Sequence, residues 1–245
     1  MSVRQRIDQQ PGFVLHSYPY RETSLIVEAF SRDHGRIGLV AKGARRPMSQ
    51  LRGVLMAFQP LLIDWSGGGE MKTLVRAEWQ GGQPLLGGQA LLCAYYLNEL
   101  LLRLMPREDA HPLLYQAYGD ALRALALGDP QEVVLRRFEL ALLQELGYGL
   151  ELEADCDGAP VRPDRHYAYI IERGAVHLEE HRPDDPTVVR GKTLIDMAHQ
   201  DLRDPDTLAQ SKALMRRLIQ HYLGGQVLQS RRVFTEMFSY PGDPS

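Results

Sequence analysis

The side chains that could do chemistry are few, and their spacing builds no reaction centre. Gly191-Lys192-Thr193 has the closing letters of a phosphate-binding loop, in which backbone N–H groups cradle phosphates and the lysine reaches them. That motif needs a glycine five residues before Gly191, and the residue there is Pro186. The stretch before it, His181–Thr187, has no buried-strand pattern, so the spacing predicts a helix start instead. His177 and His181 stand four apart, with Cys156 and His166 upstream. On a helix the two rings would converge, but His177 falls in an expected strand, and one cysteine with irregularly spaced histidines is a poor zinc set. Asp155 and Asp157 flank a turn and lack the further oxygen ligands a hard cation needs. Cys93 sits in an apolar run and reads as inert core. There is no Gly-x-Ser-x-Gly and no His-Glu-x-x-His, so nothing joins a nucleophile, its base and an oxyanion site. The expectation is a protein that is not an enzyme and holds neither metal nor cofactor.

Binding chemistry is better represented. Between Asp33 and Asp64 there is no acidic residue, yet Arg36, Lys42, Arg45, Arg46 and Arg52 all fall there. Guanidinium forks match phosphate oxygens, and phosphate contacts supply affinity without reading sequence. Gly43 and Pro47 keep the stretch from Lys42 to Arg52 loop-like. Tyr18, Tyr20, Phe58 and Trp65 are close in sequence and could stack on bases, or could fill the core of a small barrel. A second surface lies on the run from Val133 to Leu143. Leu135, Phe138, Leu142 and Leu146 make one apolar stripe, the natural core face. Arg136, Leu140 and Leu143 lie on another side. A cation beside an apolar strip suits a short peptide carrying an aromatic residue and a carboxylate; the same residues also suit a helix packed on two sides, with Arg136 snorkelling.

Two kinds of element must position these groups. From Gly12 to Trp79 the pattern is short β-type runs: Gly12–Tyr18, Ser24–Phe30, Arg36–Ala41, Gln59–Trp65 and Lys72–Trp79, punctuated by turn residues. Five strands in so short a span predict an OB-like barrel, whose open face and loops commonly bind single strands; an SH3-like barrel fits the count nearly as well. After Gly81-Gly82-Gln83-Pro84 the period becomes helical: Ala90–Met105, Ala110–Leu127 and Pro130–Leu146, the last with Asp129 as its expected N-cap. A turn at Asp155–Gly158 and a hairpin of His166–Glu172 with Ala175–Glu179 interrupt the helices, which return at Thr193–His199 and Asp206–Leu223. The tail from Tyr240 reads as frayed. The fold class is α+β, with a barrel over 1–80, then a mainly helical domain over 81–245 holding a metal-free hairpin at about 151–182.

Composition agrees with a globular, soluble chain: 245 residues, 44% hydrophobic and 24% charged. Two cysteines exclude a disulfide framework. The net charge of −3 conceals a division. Residues 1–80 hold 11 basic and 7 acidic side chains, a net of +4, and the remainder hold 17 and 24, a net of −7. The front of the chain is therefore expected to meet a polyanion. No targeting signal or membrane span is legible, so the expected compartment is the cytoplasm.

At these positions the chain becomes similar to a known family. Gly12-Phe-Val-Leu-His-Ser17, Glu22-Thr-Ser-Leu25, Gly35-Arg36, Leu39-Val-Ala-Lys-Gly-Ala-Arg45, Leu97-Asn-Glu-Leu-Leu101, Leu135-Arg-Arg-Phe-Glu-Leu-Ala-Leu-Leu143 and Leu146-Gly-Tyr-Gly149 resemble, in this order, the RecO family of bacterial DNA repair proteins. The resemblance runs from about Gly12 to Arg232. It implies an N-terminal OB-fold, a helical C-terminal domain and a recombination mediator. Such proteins bind single- and double-stranded DNA, anneal complementary strands and engage the C-terminal tail of single-stranded DNA-binding protein (SSB). With RecR they promote loading of RecA, and they join the nucleoid when on DNA. In the family the SSB tail docks beside the helix matching Leu135–Leu143, which carries over to Arg136 and Leu140. Some members hold zinc on four cysteines of the C-terminal half; only Cys156 remains here, so that metal does not carry over. A general OB-fold RNA-binding factor is the competing expectation.

Overall fold

Five strands close into a barrel: β1 (Arg6–Tyr20), β2 (Ser24–Ser31), β3 (Gly35–Ala41), β4 (Pro60–Ser66) and β5 (Met71–Trp79), in the order β1-β2-β3-β5-β4. They belong to a computed structural model that describes residues 6–180, 185, 187–230 and 232–233. β3 and β5 run parallel, with Val40 opposite Thr73, and the other neighbours run antiparallel. This is the five-stranded OB arrangement rather than an SH3-like one. Alternate residues point inward, as the period of two requires: Val27 and Ala29 from β2, Ile37 and Leu39 from β3, Ile63 and Trp65 from β4.

β1 is longer than the expected Gly12–Tyr18, and it contains Pro11 and Pro19, the prolines that flank that run. Proline cannot donate to a ladder and is tolerated at edges and bulges. β1 is bulged between Ile7 and Gln10 and between Val14 and His16, and Pro11 still accepts the Arg32 N–H (3.0 Å) through its carbonyl. The bulges let one strand pair with β2 and β4 together. The connection from β3 to β4, expected as loop, contains a single helical turn, α1 (Leu51–Val54).

The chain divides into two compact units, Met1–Gly128 with Leu228–Ser245, and Asp129–Val227. This division differs from the sequence boundary at 80/81, because α2 (Gly88–Leu104) and α3 (Pro112–Leu127) pack with the barrel. Asn98 of α2 donates to the Leu15 carbonyl of β1 (2.7 Å) and accepts from the Tyr118 hydroxyl of α3 (2.5 Å). Phe13 and Phe30 meet the rings of Tyr115 and Tyr118 at 5.1–6.1 Å. The loop after α2 is fastened to β3: Glu108 N–H donates to Arg36 O (2.9 Å), and Arg36 Nε donates to Met105 O (3.0 Å). Gly35 makes this approach possible. It has φ +63°, and a Cβ there would lie 1.8 Å from Asp109 O. Left-handed strain alone costs of order 1–3 kcal/mol, so Gly35→Ala is expected to lose at least that much stability in urea unfolding.

The second unit holds α4 (Gln131–Glu145), a sheet of β6 (His166–Ile170), β7 (Gly174–Leu178) and β8 (Val188–Arg190) in the order β7-β6-β8, then α5 (Gly191–Ala198) and α6 (Pro205–Tyr222). The expected hairpin is present, with its first strand ending at Ile170 rather than Glu172 and its second running from Gly174 to Leu178, because a turn with Glu172 at φ +65° takes residues 171–173. β8 is a third strand that three residues are too few to announce. Asp129 is not the cap of α4. The N-cap is Pro130, whose carbonyl accepts from Val133 and Val134 N–H (3.0 and 3.1 Å). α6 does carry a side-chain cap, Asp204, accepting from Asp206 N–H (2.9 Å). Leu143, Tyr167, Leu194, Met197, Met215 and Leu218 meet in this unit's core. His181 and the tail from Tyr240 lie outside the described residues.

Candidate nucleic-acid interface

The barrel sorts its cations into two groups. Arg6 pairs with Asp8, Arg32 with Asp33, Arg36 with Glu28, Lys72 with Glu108 and Arg76 with Glu78. Among the described residues Arg21, Lys42, Arg45, Arg46 and Arg52 have no carboxylate partner, and all five are exposed. They sit on two adjoining segments, the β1–β2 turn and the connection after β3. Gly43, at φ +70°, starts a run of turns in which Arg46 N–H donates to Gly43 O (3.1 Å), Ser49 N–H to Arg46 O (3.0 Å) and Arg52 N–H to Ser49 O (3.2 Å). Ala44 is wholly buried in the barrel core. Arg45 N–H donates to Thr23 O (2.9 Å), and its guanidinium donates to the Arg21 and Glu22 carbonyls (both 3.3 Å). The loop is thus anchored by Ala44 and Arg45 and presents Lys42, Arg46 and Arg52 to solvent.

Sequence reasoning grouped Arg36 with these residues, and the structure separates it. Its guanidinium lies between Glu28 and the Met105 carbonyl, only 16% exposed. Burial pulls its pKa down, against the opposing effect of Glu28. Arg107 reaches the same carboxylate. Arg21 was missed because Glu22, Glu28 and Asp33 separate it from the acid-free stretch; the tertiary turn brings it back.

The four candidate aromatics divide as well. Phe58 (5% exposed) and Trp65 (1%) are core residues, Phe58 standing edge-on to Tyr95 at 5.0 Å. Tyr18 is 39% exposed. Tyr20 is half-buried, with the Arg21 guanidinium 5.1 Å from its ring centroid. Trp79, not anticipated, is exposed and donates its indole N–H to Gln59 Oε1 (3.0 Å).

The same unit contains an apolar cavity of about 650 Å³ between β1 and α2, walled by Leu15, Leu92, Tyr95, Leu102 and Val233. Glu99 clasps the chain beside it, accepting from Gln229 N–H (2.9 Å), Ser230 N–H (2.8 Å) and Ser230 Oγ (2.7 Å). Burial alone would push that carboxyl up; the hydrogen bonds from Ser230, Gln229 and Arg103 outweigh it and hold the pKa below the ordinary value.

On α4 the expected trio of Arg136, Leu140 and Leu143 is not presented as one exposed strip. Arg136 is 8% exposed and its guanidinium grips the fully buried Glu139 (2.6 and 2.5 Å). Its Nε, also buried, has no acceptor among the described residues. Leu143 is fully buried in the unit's core, and Leu140 packs against that core half-buried. On the stripe expected to face the core, Phe138 and Leu142 are buried while Leu135 and Leu146 are half-buried.

The remaining motifs serve the fold. Lys192 pairs with Asp196 and with Asp204 (3.0 Å), and Thr193 donates to Gln210 Oε1 (2.8 Å). Gly191 opens α5 where a Cβ would lie 1.9 Å from Arg162 O. Asp155 accepts from Asp157 and Ala159 N–H (3.0 and 2.9 Å) and closes a turn. Among the described residues no three His, Cys, Asp or Glu side chains come together to hold a metal. No described helix is long and apolar enough to cross a membrane.

Two family models match the chain, Recombination protein O N terminal over residues 5–82 and Recombination protein O C terminal over 87–232. A DNA repair protein RecO of Azoarcus sp. is 68% identical over 240 residues, 97% of this chain and 99% of that protein. That of Aromatoleum aromaticum is 67% identical over 238 residues, with the same coverage. That of Dechloromonas aromatica is 56% identical over 240 residues, again 97% and 99%. The order of strands in the barrel and full-length identity at this level lead to one assignment: the chain belongs to the RecO family.

Proposed function

We propose that this chain is a mediator of DNA repair and recombination that holds DNA on its barrel through phosphate contacts from Arg21, Lys42, Arg46 and Arg52. The observation that carries the proposal is the sorting of the cations: the described basic residues of the barrel that lack a carboxylate partner all lie on two adjoining segments. Arg45 braces those segments against each other, and Arg36 braces the barrel against the loop after α2. Phosphate contacts of this kind do not read sequence, and single and double strands both offer them, as strand annealing requires.

The partner side of the proposal is an acidic peptide, the tail of SSB, at α4. The buried Arg136 Nε, which has no acceptor among the described residues, supports it, because a desolvated donor gains from a carboxylate. Leu140 offers the adjoining apolar surface. In this reading the chain acts with RecR to promote loading of RecA.

Fluorescence anisotropy with labelled single strands, bare and SSB-coated, across a salt series tests the proposal. The logarithm of affinity should fall linearly with the logarithm of salt concentration, and coated strands should still be bound. Selective binding of structured RNA over single-stranded DNA would instead favour a general OB-fold RNA-binding factor.

A further inference from the structure

We infer that the outer face of β1 is a base-stacking row, formed by Tyr18 and Tyr20 with His16 at its end, that takes an extended single strand. The inference rests on the DNA-binding reading above and goes further by assigning the surface on which bases lie. After the bulge at Val14/His16, strand pairing puts His16 opposite Glu28, Tyr18 opposite Ile26 and Tyr20 opposite Ser24. Ile26 is in turn opposite Val40, and Glu28 opposite Gly38. Residues directly opposite share a face, so Tyr18, Ile26 and Val40 form one row across the sheet. The intervening Val27 and Leu39 point into the core. Tyr18 and His16 are exposed, and Ile26 and Val40 half-buried: an aromatic platform on an apolar floor.

Its two ends differ. At the His16 end the face is closed by Arg107, which pairs with Glu28 and would meet a Cβ on Gly38 at 2.6 Å. At the Tyr20 end it runs into the unpaired cations. Arg21 covers the Tyr20 ring, Arg45 ties that turn to the next loop, and Lys42 follows directly on β3. Aromatic rings leading into unpaired cations are what a single strand needs, because bases stack on rings while phosphates follow the charge.

Spacing identifies the occupant. The His16 and Tyr18 ring centroids are 5.8 Å apart, and alternate residues of a strand stand about 6.5 Å apart. Bases stacked in a duplex rise only about 3.4 Å per nucleotide. Successive bases can sit on successive rings only if the strand is drawn out to nearly twice that rise. The row therefore accepts an unpaired, extended strand and excludes a duplex, which is left with the phosphate contacts alone.

The test is anisotropy of the full chain with a labelled oligothymidine and, separately, a hairpin duplex. Tyr18→Ala and Tyr20→Ala should each lower single-strand affinity about fivefold to 150-fold, the range for one lost base stack. Duplex affinity and the salt slope should stay near those of the parent, and Tyr18→Phe should restore single-strand binding. The Arg46→Glu/Arg52→Glu variant serves as control. Folded alanine variants that bind single strands like the parent, beside a control that has lost affinity, would overturn the row and leave the DNA-binding reading intact. Equal losses on single strand and duplex would also overturn it. A control that binds both as tightly as the parent would overturn the underlying reading. Thermal melting of each variant verifies folding, and Tyr18→Ala alone, at the more exposed ring, decides if Tyr20→Ala is unstable.

Discussion

Arg46→Glu combined with Arg52→Glu is expected to weaken DNA binding on every sequence alike and to flatten its salt dependence. Each phosphate neutralised on a single strand adds about 0.7 to the slope of log affinity against log salt. Two lost contacts should therefore lower the slope by about 1.4. With the 1 M intercept unchanged, that is roughly a fifteenfold loss at 0.15 M salt and roughly sixtyfold at 0.05 M. The widening difference at low salt is the signature to measure, because a general loss of folded protein would scale all points equally. Arg46 and Arg52 suit this test because both are exposed and neither is hydrogen-bonded through its side chain among the described residues. Arg45 does not suit it: its guanidinium holds the Arg21 and Glu22 carbonyls, so charge reversal there would mix a loosened loop with a lost charge. Titrations at several salt concentrations that overlay those of the parent would move the DNA site away from these loops.

The contrast between Arg46 and Arg36 also shows what sequence can carry. An alternating apolar pattern and turn residues announce a strand, because the inward face of a barrel has to be apolar at every second position. The five strands were legible for that reason, and so were the long helices. An acid-free interval announces positive charge, and nothing in that interval distinguishes an arginine whose carboxylate partner is eight residues upstream, as Glu28 is for Arg36. Pairing is a property of the register between β2 and β3, where Arg36 stands opposite Phe30. Arg21 was lost for the complementary reason, since three acids in sequence hide a cation that the fold returns to the basic loop. The allocation of α2 and α3 to the barrel's unit was also illegible: Asn98, Tyr115 and Tyr118 declare a partner only when Phe13, Leu15 and Phe30 are brought beside them. On α4 the heptad-like stripes were legible, but a helix buried on two sides and one with an exposed binding strip have the same periodicity. Glu139, one turn from Arg136, was the available signal that the cation had an internal partner.

Arg136→Ala is expected to destabilise the second unit by about 3–5 kcal/mol, the cost of breaking a buried ion pair by removing the guanidinium that pairs with the fully buried Glu139. That is a large part of the roughly 5–15 kcal/mol that holds a typical domain together, so weak peptide binding by this variant alone would say little about a docking site. Three other variants separate the roles. Arg136→Met with Glu139→Leu removes both charges; exchanging a buried pair for apolar residues of similar size is neutral or stabilising by about 1–4 kcal/mol, so urea unfolding should return to the parent's midpoint or above it. If the guanidinium anchors the carboxylate of an acidic peptide ending in an aromatic residue, this stable variant should still bind the peptide about tenfold to a hundredfold more weakly, the equivalent of one charge-assisted hydrogen bond of about 1.5–3 kcal/mol. Glu139→Gln acts in the opposite direction. It removes the internal carboxylate that competes for Arg136 and should tighten peptide binding. Leu140→Asp should weaken it through lost apolar contact and added repulsion. DNA binding should be nearly unchanged in all three, since the basic loops belong to the other unit. A folded Arg136→Met/Glu139→Leu protein that binds the peptide as tightly as the parent would show that the pair is internal to α4 and that the tail docks elsewhere.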